Sequence, residues 1–228
     1  MLDLSLPSYN DTVVSEESYW STVEKRATLS RYHRLVKRLF DLIVSGLAML
    51  LILSWLFPII GLIICFSSPG PILFVQLRTG RNGRQFRCLK FRTMTYQLHA
   101  SFQQATKNDT RITPIGKFLR KTNLDELPQI INVFLGDMSI VGPRPHPIQL
   151  DAQHWLTTPG YPERYAVKPG ITGIAQVRGC RGETTQLFQM EHRLRYDKLY
   201  ITKQTVVLDA KICFWTAQKM IQGDENAY

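Results

Sequence analysis

Asp125 and Glu126 are consecutive carboxylates in the stretch LRKTNLDELPQIINVFLGDMSIVGPRP, with Pro128 just after them and an apolar run beyond. Proline suits only the first turn of a helix, so Pro128 sets a helix start close to Asp125. Two uses of the pair follow from that placement. In one, Asp125 is an N-cap and Glu126 a first-turn partner of the helix dipole. In the other, the helix terminus keeps a carboxylate ionised, available as a nucleophile or as a ligand for Mg²⁺. Cations suited to phosphate oxygens surround the pair: Arg111, Lys117, Arg120 and Lys121 before it, Arg144 after it. Arg144 stands between Pro143 and Pro145, so its backbone is stiff and its guanidinium can be aimed in advance at a phosphate. A surface arginine on a turn is the plainer alternative.

Other chemistries lack their residues. The chain contains no GxxxxGK[ST], no GxGxxG after a strand and no HExxH, and its five histidines show no ligand spacing. The four cysteines, Cys65, Cys88, Cys180 and Cys213, form no CxxC pair, which fits free thiols better than a zinc ribbon or a disulfide framework.

The elements that must position the pair are organised by charge. The 228 residues carry 28 Lys+Arg and 18 Asp+Glu, a net charge of +10, with 44% hydrophobic residues. One compact domain, or two small ones, with a real core is expected, and a disordered polyelectrolyte is excluded. Residues 42–108 contain no carboxylate side chain, and Leu42–Phe66 carries no charge at all. Such segregation points to a membrane or a polyanion. As a helix the uncharged run would be about 38 Å long, against roughly 30 Å of hydrocarbon. Yet Pro58 interrupts it, and both flanks are basic: Lys25 to Arg38 before, Arg78 to Arg92 after. The length alone fits a membrane-spanning helix, which stays the alternative. But the positive-inside rule puts both flanks on the cytoplasmic side, which a helix entering, breaking near Pro58 and returning satisfies and a single span does not. Residues 1–33 are expected to be a flexible arm with no signal peptide. Residues 34–67 are expected to be the membrane-embedded helix, and 68–228 a cytosolic catalytic domain.

Two β-prone stretches flank Asn82-Gly83, a hairpin signal. The hairpin's Arg78, Arg81, Arg84, Arg87 and Lys90 suit lipid headgroups, a nucleotide diphosphate or simple solvation. Beyond Ile112 the pattern is mostly helical, and Leu208, Ile212 and Trp215 share helical spacing in 205–220. That stripe fits a core-facing helix, or an interfacial one given Phe214 and Trp215. The fold class expected is α+β, mostly helical and monotopic, with a re-entrant N-terminal helix and a small β-hairpin.

These pieces together carry a resemblance. KRLFD (37–41), the apolar helix, SPGPILFVQLRTGRNG, FRCLKFRTM, the stretch from Arg111 to Pro145, KPGITGIAQV and the pair Asp197-x-x-Tyr200 occur in order. The chain resembles the bacterial sugar transferases, monotopic polyprenyl-phosphate phosphoglycosyl transferases that initiate capsule, exopolysaccharide and O-antigen assembly. The resemblance implies that Asp125 attacks the β-phosphate of a UDP-sugar, releases UMP and passes the phosphosugar to undecaprenyl phosphate. It implies Mg²⁺ as cofactor at Asp125 and Glu126. It also marks Gln76, Arg78, Lys90, Arg92, Arg111, Arg120, Arg144, Asp197 and Tyr200 as substrate- or phosphate-binding residues. The implied location is the bacterial inner membrane, with the catalytic domain facing the cytoplasm. The implied partners are the UDP-sugar, undecaprenyl phosphate and the bilayer, not nucleic acid; a homo-oligomer stays open. One departure is Phe57, where a small residue, commonly serine, usually precedes the proline. RGETTQLFQMEHRLRYDKLYI, ATKND and the terminal NAY look like the branch that transfers glucose-1-phosphate. UDP-galactose or a UDP-N-acetylhexosamine is the alternative donor, and a non-enzymatic membrane-associated polyanion-binding module the alternative function.

Overall fold

The computed structural model describes residues 31–97, 103–106, 109–180, 182 and 187–222. The arm expected over 1–33 falls almost wholly outside them, as do the NAY terminus and most of RGETTQ. The described chain is mostly helical. Its first feature is a single helix over Tyr32–Ser67, long and apolar enough to cross a membrane. It is made of α1 (Arg31–Ala48), a wider π-helical stretch (Met49–Leu53) and α2 (Ser54–Ser67). Only 22% of its most apolar window is buried, so it is not the core helix of a globular unit. Leu35, Leu39, Ile43 and Leu47 form an exposed stripe at i, i+4 spacing, continued by Leu50, Leu51, Trp55, Leu62 and Phe66.

The chain stays helical across Pro58, contrary to the break expected there. Proline has no N–H to offer the preceding turn, and the irregularity falls just upstream, in the π-helical stretch. Ser54 Oγ donates to the Leu50 carbonyl (2.6 Å) and Trp55 Nε1 to the Leu51 carbonyl (2.7 Å). These side chains supply donors where the regular ladder is disturbed.

Both ends of the long helix are fastened to the globular unit. At its foot Lys37 Nζ donates to the Val141 carbonyl, the Tyr200 hydroxyl and Asp209 (2.6 Å). Arg38 donates to the carbonyls of Val133 and Phe134, and buried Asp41 accepts from Ser139 Oγ and the Ile140 amide. At its far end Arg92 donates to the carbonyls of Ile64, Ser68 and Pro69. The last carbonyls of a helix have no partner within it, and this buried guanidinium provides one.

The expected hairpin is present. β1 (Leu73–Thr79) pairs antiparallel with β2 (Gln85–Phe91), from Leu73↔Phe91 to Thr79↔Gln85. Asn82 (φ 56°) and Gly83 (φ 75°) take the left-handed conformations of the turn, which these two residue types tolerate best. Helices α3 (Pro114–Lys121) and α4 (Gln129–Leu135) follow, then the strand β3 (Ser139–Val141) and α5 (Ile148–His154). After a 3₁₀ segment over Tyr161–Ala166, β4 (Gly170–Thr172) lies parallel to β3, a pairing the sequence patterns did not announce. The short α6 (Ile174–Val177) leads to α7 (Leu187–Lys203) and α8 (Val206–Gln222).

The main core gathers Val141, Tyr161, Tyr165, Met190, Tyr200 and Ile212. Leu208 and Trp215 pack against it, so the spaced stripe of α8 faces the core, and Arg178 stacks over the Trp215 ring. Phe214 alone of that group is exposed. A second cluster, Ile60, Ile64, Phe91 and Leu119, glues α2 to the hairpin and α3.

Candidate active site

The carboxylate pair sits in a 3₁₀ turn, Leu124–Glu126, entered through Asn123 in the left-handed conformation (φ 56°). Leu127 and Pro128 take helical angles and lead into α4, so the proline marks the helix entrance as expected. No side chain caps either start, which removes the N-cap role for Asp125. The turn is held by the two elements around it. Asn132 on α4 accepts from the Leu89 amide (3.0 Å) and donates to the Arg87 carbonyl (2.8 Å), acting as a short strand partner for β2. That contact fixes the register at which Lys90 meets the pair.

Lys90 Nζ lies 2.7 Å from Glu126 Oε1. Arg144 grips the same carboxylate with both guanidinium nitrogens, Nη1 at 3.1 Å from Oε2 and Nη2 on Oε1. Burial alone would raise the Glu126 carboxyl, but Arg144 and Lys90 outweigh it and hold it well below the ordinary range. Asp125, buried beside it, is pushed the other way: burial raises its carboxyl, opposed by Lys90, and the Glu126 charge raises it further. The two neighbours therefore have divergent characters. Glu126 is a locked counter-ion, and Asp125 is the carboxylate left uncommitted.

Asp125 and Glu126 line a cavity of about 850 Å³, a size suited to a whole small-molecule substrate. Gln76, Arg78, Lys90, Arg92, Arg111, Arg120 and Arg144 line it too, so most residues singled out from sequence converge. Several are already engaged. Arg78 donates to the Pro145 carbonyl (2.6 Å) and to Gln76 Oε1 (3.0 Å), stapling β1 to the proline-flanked loop. Arg92 is the clamp on the helix end. Arg111 is paired with Asp109 through two nitrogens, and Arg120 Nε donates to Thr93 Oγ1 (2.8 Å).

Asp197 and Tyr200 are not among the residues lining the cavity. Tyr200 hydroxyl donates to Asp209 (2.8 Å) beside Lys37, tying the long helix to the core. Asp197 forms an ion pair with Arg164 at 2.9 Å. Arg164, fully buried and stacked over Tyr161 and Tyr165, donates in turn to the Arg144 carbonyl (2.9 Å). A chain of contacts thus runs from Asp197 through Arg164 to Arg144 and on to Glu126. Sequence reasoning missed Arg164, which carries no motif signal, and Arg193, which also lines the cavity. Burial, then the Arg164 charge, lowers the Arg193 guanidinium to about 10. His146, between Pro145 and Pro147, is held well below its usual value by burial and then by Arg164 and Arg193.

A carboxylate pair set among cations in a substrate-sized cavity has the chemistry to hold phosphate oxygens. Residues 32–223 match the family model described as bacterial sugar transferase, and the chain belongs to that family. It is 47% identical over 84% of its length to a UDP-glucose:undecaprenyl-phosphate glucose-1-phosphate transferase of Klebsiella pneumoniae, covering 41% of that protein. It is 44% identical to the exopolysaccharide production protein PSS of Rhizobium leguminosarum bv. phaseoli, over 79% of this chain and 92% of that one. An Aeromonas hydrophila UDP-N-acetylgalactosamine-undecaprenyl-phosphate N-acetylgalactosaminephosphotransferase is 36% identical over 85% of the chain and 45% of its own length. The chain therefore spans about two-fifths of the length of the first of these relatives.

Proposed function

We propose that the chain transfers a sugar-1-phosphate from a UDP-sugar to undecaprenyl phosphate, releasing UMP, with glucose-1-phosphate as the group transferred. The observation that carries this reading is the asymmetry of the pair: Glu126 locked between Lys90 and Arg144, Asp125 uncommitted at the cavity wall. An Asp125 oxygen attacks the β-phosphorus of the donor, and the phosphoanhydride bond to the α-phosphate breaks, so UMP leaves with that electron pair. The phosphosugar is then held as an acyl phosphate. A phosphate oxygen of undecaprenyl phosphate attacks the same phosphorus and expels the Asp125 carboxylate unchanged. Splitting one displacement into two is what a nucleophilic side chain offers. The cations around the cavity stabilise charge on the phosphate oxygens.

The described residues contain no group of three or more His, Cys, Asp or Glu able to hold a metal by themselves. A Mg²⁺ ion would be held by Asp125, the carboxylate with no cation bound to it, together with substrate oxygens, and by Glu126 only on displacing Lys90 or Arg144 from its oxygens. Bound there, it would supply charge neutralisation at the phosphates.

The long helix belongs in the bilayer as a re-entrant element, in this reading, with the catalytic unit on the cytoplasmic side of the inner membrane. What supports this is the double fastening. Lys37, Arg38 and Asp41 at one end and Ile64, Ser68 and Pro69 at the other bind the same globular unit. A spanning helix would put its two ends, and so the one globular unit that holds both, on opposite sides of roughly 30 Å of hydrocarbon. In the re-entrant reading the helix bends at the π-helical stretch Met49–Leu53 instead of breaking at Pro58. The glucose assignment draws on the names of relatives such as the Klebsiella protein.

The test is UMP release by the membrane-reconstituted chain with undecaprenyl phosphate, Mg²⁺ and a panel of UDP-sugars. Release from UDP-glucose in preference to UDP-galactose and UDP-N-acetylhexosamines is expected. Preference for another sugar overturns the glucose assignment, and no release from any of them overturns the reaction. Cysteine labelling before the foot of α1 and in the hairpin should place both on one side; opposite sides would overturn the re-entrant reading.

A further inference from the structure

A second cavity, of about 180 Å³, lies at the foot of the long helix and shares no lining residue with the first. Its wall brings together Arg34, Lys37 and Arg38 of α1, Arg81 of the hairpin turn and Lys168 of the loop before β4, against one carboxylate, Asp41. That carboxylate is buried and satisfied by Ser139 and the Ile140 amide, and Lys37 is matched by Asp209 outside the wall. Arg38 rests on the neutral Val133 and Phe134 carbonyls, and Asp137 is the one further carboxylate acting on Lys168, so Arg34, Arg38 and Lys168 still outnumber the negative charge set against them. An ideal β-carbon on Gly136 would lie 3.4 Å from Arg38 Nη2 and 3.5 Å from Lys168 Nζ, so these two cations are within about 7 Å of each other.

Like charges drawn this close repel unless an anion joins them. Burial, and then Arg38, lowers the Lys168 ammonium, against the opposing pull of Asp41 and Asp137. The volume is below the roughly 300 Å³ at which sites for whole small molecules begin, so one compact anionic group with its waters fits better than a nucleotide. Position adds the remaining argument. The exposed apolar stripe of α1 starts at Leu35 and Leu39, in the same turns that supply Arg34 and Arg38.

We propose that the cavity walled by Arg34, Arg38, Arg81 and Lys168 is a binding site for a phosphate group, separate from the Asp125–Glu126 cavity. Two sources carry that chemistry: the headgroup of an anionic phospholipid, or a soluble phosphate. The lipid source rests on the membrane reading above; the phosphate site itself does not.

The test uses Lys168 as its own reporter. The full chain is reconstituted in phosphatidylcholine vesicles, alone, with inorganic phosphate against chloride of matched ionic strength, or with phosphatidylglycerol added to the bilayer. Amine acylation is then read by mass spectrometry at Lys168 and at exposed Lys211 as the control. At ligand ten times its dissociation constant, Lys168 labelling is expected to slow about tenfold while Lys211 is unchanged. Protection by phosphatidylglycerol alone assigns the site to a lipid headgroup; protection by phosphate assigns it to a soluble anion, or to both where both protect. No selective protection in either arm overturns the proposal. Arg34→Glu, on an exposed side chain, should weaken the protection, and full protection in that variant would overturn the cavity as the site. Either negative result leaves the UMP-release assay untouched, so it is distinct from failure of the transferase reading.

Discussion

The grip of Arg144 on Glu126 gives the most quantitative consequence of the site. Arg144→Ala removes both guanidinium contacts, and Glu126→Gln removes the charge they hold. Two hydrogen bonds to a charged group, at about 1.5–3 kcal/mol each, set an upper figure of about 3–6 kcal/mol. The pair is not sealed from water, with the Arg144 side chain 28% exposed and that of Glu126 12%. Lys90 also stays on Glu126 Oε1 when Arg144 is lost. Screening and that remaining partner reduce the coupling to roughly 2–3 kcal/mol, a factor of about 30- to 150-fold. The assay is a double-mutant cycle in kcat/KM for UMP release from UDP-glucose by reconstituted protein. The double variant should lose less than the two single losses combined, by that factor. Single effects that add within about 0.5 kcal/mol would refute the claim that the two residues act as a unit.

Further consequences can be checked together. In the proposed reaction Asp125 has to be ionised to attack, and its carboxyl is raised above 3.8 by burial and by Glu126. Activity should therefore fall with decreasing pH at a value above 3.8. On the alkaline side, burial lowers Lys90 below 10.5, so loss of its charge should place the upper limb below 10.5; a pH profile of kcat/KM checks both. Arg164→Met leaves Asp197 buried without its partner and should cost about 3–5 kcal/mol of stability, read as a fall in thermal midpoint. UMP release by the remaining folded protein should fall as well, although Arg164 is not among the residues lining the cavity. Gly116→Ala would place a β-carbon 1.9 Å from the Thr93 carbonyl oxygen, where α3 docks by backbone contact. A loss of about 3 kcal/mol or more is expected. Gly46→Ala, with nothing within 4 Å, should leave the stability level or raise it by about 1 kcal/mol at most, read as an unchanged or higher thermal midpoint.

What the sequence makes legible here is what lies close together along the chain. The Asp125–Glu126 pair is visible because its members are adjacent, and Pro128 marks the helix entrance they precede. Asn82-Gly83 announces the hairpin because that turn needs left-handed residues, and the uncharged run announces the long helix. The role of each cation was less visible, because it depends on partners far along the chain. Arg92 and Lys90 stand two residues apart in one motif, yet one closes the end of α2 and the other meets Glu126. Asp197 looks like a substrate ligand by its place in a motif; its carboxylate instead holds Arg164, and so the backbone of Arg144. The β3–β4 pairing is missed for a related reason: three-residue strands leave no alternation to detect. The π-helical stretch before Pro58, where the Ser54 and Trp55 side chains donate to the Leu50 and Leu51 carbonyls, has no signature in the spacing of apolar residues.

The central claim is that Asp125 carries the phosphosugar. The direct measurement is the mass of the reconstituted chain after incubation with UDP-glucose and Mg²⁺ in the absence of acceptor. The expected result is a glucose-phosphate adduct on the peptide containing Asp125, formed with one equivalent of UMP, discharged by undecaprenyl phosphate and absent from Asp125→Asn. UMP release that continues undiminished in Asp125→Asn, or proceeds in the wild type with the lipid product formed and no adduct at any time, would contradict it.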